Sequence, residues 1–196
     1  ISSIVEKRAQ DLKIEDLVKR SVEYDMPAVA LTDHGNMYGV IDFYKSAKKA
    51  GIKPIIGCEV YQSLGSRYEK KVYKDKKEDM YNHLTLLVKD NVGYKNIMKL
   101  VSLGFLEGFY YKPRIDSELL RQYSKGLIAL SGCLSGRVSR AIETGDNEKA
   151  NRFVEEYIDI FGRENFFLEM TDFGISKQKE INRKLFELAQ KHKIGI

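Results

Sequence analysis

Apolar positions along the chain switch repeatedly between helical and strand spacing. In "IEDLVKRSVEYD", Ile14, Leu17, Val18 and Val22 recur at helical intervals, and "MPAVALTD" then turns into a short apolar run that reads as a buried strand. The pair repeats at once. "MYGVIDFYKSAKKAG" carries a helical stripe through Val40, Ile41, Tyr44 and Ala47, stops at Gly51, and leads into the strand "KPIIGCEVYQSL". Further on come the strand "HLTLLVKD", the helix "VGYKNIMKLVSLGFLEG", a helix at "DSELLRQYS" with Asp116 as its N-cap, and the strand "GLIALSG". Two helices across residues 136 to 161, the strand "NFFLEMTD" and a helix from about Lys177 to His192 complete the series. Strands separated by helical stretches predict an α/β fold with a parallel sheet, either a barrel or a doubly wound sheet.

The segment "RYEKKVYKDKK" breaks this rhythm. Arg67, Lys70, Lys71, Lys74, Lys76 and Lys77 are diluted by Glu69, Asp75, Glu78 and Asp79, and no core periodicity runs through them. Residues of about 64 to 80 therefore read as a solvated insertion within one domain spanning 1 to 196. Tyr68 and Tyr73 in it could stack on bases. The net charge of +5 is mild and fits a solubility role better than a nucleic-acid footprint.

Composition bounds the class without naming the chemistry. With 43% hydrophobic and 31% charged residues, 196 residues suffice for one well-cored globular domain. No apolar run approaches the roughly 18 residues of a spanning helix, and "ISSIVEKRAQDLK" lacks the apolar core of a secretory signal, so no membrane role and a cytoplasmic location are expected. Two cysteines, Cys58 and Cys133, make neither a disulfide framework nor a paired zinc-site spacing. There is no Gly-rich phosphate loop.

Chemistry-bearing residues gather at the strand ends. "AVAL" ends at Asp33 and His34, "PIIGCEVY" contains Glu59, "HLTLL" has His83 at its start, and "LIALSG" leads to Cys133. Parallel strands would set their C-terminal ends on one rim, where imidazole, carboxylate and thiolate suit zinc, or manganese or iron where carboxylate and imidazole dominate. Each member also has a plainer reading: a turn hydrogen bond for His34, an exposed strand position for Glu59, a cap for His83, and packing for Cys133. Alternation places Cys58 on the face opposite Glu59, so Cys58 is assigned to packing. His83 fits the rim least well, because it begins its strand.

"MPAVALTDHGNMYG", "GIKPIIGCEVY", "HLTLLVKDNVGYKNIMKLVSLGFLEGFYYKPRID" and "GLIALSGCLSG" closely resemble the polymerase and histidinol phosphatase (PHP) domain found at the N-terminus of the bacterial replicative polymerase III alpha subunit. The similarity runs in order from about residue 13 to 196. The resemblance implies a distorted (β/α)7 barrel, incomplete at both ends in this chain, with metal ligands His34, Glu59, His83 and Cys133 and with Asp33 orienting the site from behind. Full-site members of that family also carry a His-x-His pair with an acid just after it and a terminal Asp-x-His, and this chain shows neither pair: the aligned positions fall at Ser2 and before the chain, the acid falls at Ala9 or, with a slipped register, Asp11, and Phe173 stands where many relatives carry histidine. Open strand edges would make the natural chain longer.

By the same resemblance, the parent is a DNA-directed DNA polymerase using magnesium held elsewhere, with DNA, a proofreading exonuclease subunit and other replicase subunits as partners. The domain would brace the polymerase and carry a remnant or potential 3′ to 5′ exonuclease site, inactive in these 196 residues. A free-standing phosphoesterase of the same superfamily and a non-catalytic interaction module are the alternatives.

Overall fold

The computed structural model describes residues 13–70, 81–172, 174 and 176–196. Ser2, Ala9, Asp11, Lys71, Tyr73, Lys74, Asp75, Lys76, Lys77, Glu78, Asp79 and Phe173, singled out above, lie outside them. The elements follow in the order α1 (Ile14–Glu23), β1 (Ala28–Leu31), α2 (Val40–Lys49), β2 (Lys53–Ser63), β3 (Tyr81–Val88), α3 (Asn91–Leu106), β4 (Arg114–Ile115), α4 (Ser117–Tyr123), β5 (Leu127–Leu130), α5 (Arg137–Glu143), α6 (Asn147–Phe161), β6 (Phe166–Phe167) and α7 (Ser176–His192). A short 3-10 turn, Arg163–Asn165, precedes β6. The expected strand "NFFLEMTD" is therefore shorter than its apolar run.

One six-stranded sheet carries the fold, in the order β1-β2-β3-β5-β6, with β4 also on β2. Among the described residues the sheet is not closed. Parallel pairs join β1 to β2, β2 to β4 and β5 to β6, whereas β3 runs antiparallel to both β2 and β5. The parallel expectation fails for this one strand. The stretch leading from β2 to β3 supplies no crossover helix among its described residues, and a chain that returns without a crossover pairs antiparallel.

Alternation sorts the two faces of the sheet. Cys58, Val60, Leu84, Leu86, Leu127 and Ala129 join the main core with Ile97 and Leu100 of α3, all of them essentially sealed from solvent. Burying each of the larger side chains is worth about 1.5–3 kcal/mol relative to exposure. That helix-covered face supplies stability, which frees the opposite face to hold polar groups. A second, smaller core packs Val18, Val29, Phe43, Ala47 and Ile52 between α1, β1 and α2.

Asp90 and Asp116 cap α3 and α4 by accepting from the Gly93 and Leu119 backbone N–H groups. Asp116 does more. It pairs with Arg67, which is only 7% exposed and also meets Glu107 at 2.7 Å and Glu118 at 3.0 Å. The reading of Arg67 as part of a solvated insertion is corrected: three carboxylates neutralise its charge and permit its burial. Arg114, also buried, donates to the Arg67 and Glu69 carbonyls and pins the same segment.

Candidate metal centre

The site stands on the sheet face turned away from the main core. Beyond β1 the chain keeps its register on β2, so that His34 pairs with Glu59 just as Leu31 pairs with Ile56. The Asp33 carbonyl accepts from the Glu59 N–H at 3.0 Å, and the Gly35 N–H donates to the Glu59 carbonyl at 2.9 Å. On the other side of β2, Glu59 faces Thr85 and Tyr61 faces His83 across the antiparallel ladder. Two strands thus bring both imidazoles to one carboxylate.

Reversal of β3 explains the position of His83. A residue near the start of an antiparallel strand lies beside the C-terminal half of its neighbour, where His34 and Glu59 already are.

Nδ1 of His34 is 3.1 Å from Glu59 Oε1, and Nδ1 of His83 lies against the same oxygen. One ligand atom from each of the three residues falls within 4.8 Å of the other two. Glu59 is 8% exposed, and its Oε1 is buried without a hydrogen-bond partner of adequate geometry. A buried carboxylate needs charged partners, and here the two imidazoles are those partners. Two imidazole nitrogens converging on such an oxygen form a donor set that a divalent ion would satisfy.

Cys133 stands on one flank, beside His83 and outside that group of three. Its Sγ is 4.0 Å from His83 Nδ1 and accepts from the Ser135 backbone N–H. The loop holding it is tied to β3 by the His83 N–H donating to the Ser135 carbonyl. Gly132, at φ +81°, abuts the His83 carbonyl so closely that a Cβ there would lie 2.6 Å from it. Cys58, by contrast, is fully buried on the opposite face, where alternation placed it. Burial pushes its thiol up to about 12.

Charge within the cluster is strongly coupled. Burial pushes the Glu59 carboxyl up, but the imidazoles of His34 and His83 outweigh burial and hold it at about 2. Burial likewise pushes the His83 imidazole down, while Cys133 and Glu59 raise it to about 9. Asp33 follows a different pattern: burial raises its carboxyl, and the Gly39 backbone and the charge of His34 lower it in part. Its carboxylate is thus anchored at the start of α2 and touches the cluster through charge.

Several neighbours escaped the sequence reading. Tyr61 flanks both imidazoles, its ring 5.3 Å from that of His83 and 6.4 Å from that of His34, and Tyr81 stacks on His83 at 6.0 Å. Thr85 donates to Glu169 Oε2 at 3.4 Å, and the Glu169 N–H donates to Ser131 Oγ. Alternation on β2 does put Tyr61 with Glu59. The pairing that brings Tyr81, Thr85 and Glu169 alongside is non-local and leaves no mark in any single segment.

Residues 10–173 match the PHP domain family. The chain belongs to that family. Over 188 residues it is 46% identical to DNA polymerase III subunit alpha of Aquifex aeolicus, a match covering 94% of this chain and 16% of that protein. The same subunit of Thermus aquaticus is 44% identical over 94% of the chain and 15% of its own length. For Chlamydia pneumoniae the identity reaches 58%, over 65% of the chain and 10% of the relative. The chain therefore spans only about one-sixth or less of the length of these curated relatives. Among solved structures, an amidohydrolase from Chromobacterium violaceum aligns with a TM-score of 0.56 and 12% identity, covering 93% of this chain and 79% of that one. A protein from Bifidobacterium adolescentis assigned as a metal-dependent phosphoesterase gives 0.58 and 11% over the same shares. At such identities these two establish the fold alone, and it is the PHP-type α/β fold.

Proposed function

We propose that this PHP domain belongs to the alpha subunit of a bacterial DNA polymerase III and that His34, Glu59, His83 and Cys133 hold one divalent ion. Identity of 44–46% across nearly the whole chain, against about one-sixth of each relative, supports the assignment to a polymerase subunit. The buried Glu59 Oε1, on which two imidazole nitrogens converge, carries the metal reading. Mixed nitrogen, oxygen and sulfur donors favour zinc, with manganese as the harder alternative. The parent would polymerise DNA with magnesium bound elsewhere, in the cytoplasm, alongside a proofreading exonuclease subunit and other replicase subunits. Asp33 keeps the His34 loop in place.

When bound, the ion would supply Lewis acidity and fix the loops that carry its ligands. The chain's own residues bind it, exclude water on the Tyr61 and Tyr81 side, and hold a proton on His83 until it arrives. Four side chains saturate one tetrahedral ion. In-line phosphodiester hydrolysis commonly uses a pair of ions about 3.5–4 Å apart, so this domain acts as a metal-braced scaffold and not as a nuclease.

Elemental analysis after dialysis tests the reading. One ion per chain is expected, falling severalfold in a His34→Ala, Glu59→Ala double variant, with no nucleotide release from labelled single-stranded DNA above that variant's level. Three tightly held ions, or release that the double variant abolishes, would overturn it.

A further inference from the structure

The end of the sheet away from the candidate metal centre carries a row of cations that no role above uses. Because β3 runs antiparallel to its neighbours, the end at which it finishes is the end at which β5 and β6 begin. Lys89 directly follows β3, Lys125 stands just before β5, and Arg163 opens the 3-10 turn that precedes β6. Gly195 continues the sheet by a parallel bridge to Phe167, and two residues earlier on each chain stand Lys193 and Asn165. Lys89, Lys125, Arg163 and Lys193 therefore follow one another across four adjacent strand positions, a row about 14 Å long at the ordinary strand spacing. His83 lies near the other end of β3, about 20 Å away at the ordinary rise per residue.

Hydrogen bonds hold the row in place. The Lys89 N–H donates to the Gly126 carbonyl at 2.9 Å, Asn96 Nδ2 donates to the Lys125 carbonyl at 2.8 Å, and Lys89 Nζ donates to Asn165 Oδ1 at 2.9 Å. Lys191 and His192, at the end of α7, both reach Asn151 Oδ1. Burial first, then the charge of Lys191 and, less strongly, that of Arg163 push the His192 imidazole down, against Glu155, so Lys191 flanks the same patch. These five cations are exposed, and none pairs with a carboxylate among the described residues. Asp90, Glu155 and Glu164 are the acids nearby, and Asp90 is occupied in capping α3. The C-termini of α4, α6 and α7 reach this end and favour cations, but Lys89 precedes the N-terminus of α3, where the helix dipole disfavours one.

The total charge of +5 is mild, and its placement is what singles out this end. A row of unpaired cations matches an anion whose charges are spaced along a line, as those of a nucleic-acid backbone are. None of the exposed aromatic side chains among the described residues lies in the row, so it offers no stacking platform for unpaired bases and suits the phosphates of a duplex. We infer that Lys89, Lys125, Arg163 and Lys193 form a contact surface for the backbone of duplex DNA, independent of base sequence. The surface shares no residue with the metal centre and needs no ion.

The test is fluorescence anisotropy of a short labelled duplex of mixed sequence, titrated with the chain in EDTA at about 50 to 200 mM salt. A Lys89→Gln, Arg163→Gln, Lys193→Gln triple variant should weaken binding at least about tenfold at the lowest salt and lower the slope of log affinity against log salt by about 2–3. A Lys45→Gln, Lys48→Gln, Lys49→Gln variant on α2 makes the same change in net charge and should lose less than about threefold; Lys89→Arg, Lys193→Arg should bind like the wild type. The His34→Ala, Glu59→Ala variant should also bind like the wild type, so failure of the metal reading leaves this result standing. Equal losses in the two glutamine variants, both folded by circular dichroism, would reduce the binding to net charge and overturn the inference. A wild-type chain that binds no duplex at about 50 mM salt, or that prefers a single strand or polyglutamate to the duplex, overturns it as well.

Discussion

Glu59 and His83 compete with any incoming ion, because each is already the other's partner. The folded His83 titrates near 9, above its ordinary value, so its contribution to stability is complete below about 6.5 and is lost as pH rises through 9. Glu59 titrates near 2, so its contribution is complete above about 4.5 and is lost as pH falls through 2. The metal-free pair is thus strongest between about pH 4.5 and 6.5. Metal must displace the His83 proton and that of the Cys133 thiol, so apparent affinity should tighten by at least about tenfold per pH unit up to roughly pH 9. Chelator competition from pH 6 to 9.5 measures this, and a flat profile would contradict the assigned proton. Gly35 belongs to the same scale. At φ +68° and with Tyr61 and Pro113 inside contact distance, Gly35→Ala should cost about 2–3 kcal/mol in denaturant unfolding and loosen metal binding through His34. A neutral result would mean the loop can move aside.

At the level of elements, the start of the segment after β2 is clamped harder than its charge content suggests. Asp116 caps α4 and also accepts from the Arg67 backbone N–H and guanidinium, so Asp116→Ala removes a cap and one member of a buried ionic cluster together. The expected loss is about 3 kcal/mol, since Glu107 and Glu118 remain to partner Arg67. Arg121→Ala, at an exposed pair with Asp159, should change stability by less than about 0.5 kcal/mol. Equal effects would show that burial is not what matters. Arg67 also marks the limit of reading elements from the sequence. Helical stripes, the Asp116 cap and the alternation that separates Cys58 from Glu59 are local, and each was legible. The direction of β3 was not, because a run such as "HLTLLVKD" has the same apolar pattern whichever way it lies. Arg67 looked solvated for the same reason: its carboxylates sit some forty or more residues further along the chain.

In the molecule as a whole, the four proposed ligands come from the ends of β1 and β5 and from within β2 and β3, so an ion there would tie together strands that otherwise leave an unclosed sheet. Residue types at the strand ends, together with the family resemblance, pointed to this group. What they could not show was that His34 and His83 share a single oxygen of Glu59, or that Tyr61 packs beside both. X-ray absorption at the zinc edge of the zinc-loaded chain tests the central claim most directly. A single environment is expected, with nitrogen and oxygen ligands at about 2.0–2.1 Å and one sulfur at about 2.3 Å; the sulfur contribution should vanish in Cys133→Ser, and the bound zinc should fall in His83→Ala. A spectrum without sulfur, or one unchanged by His83→Ala, would contradict the account.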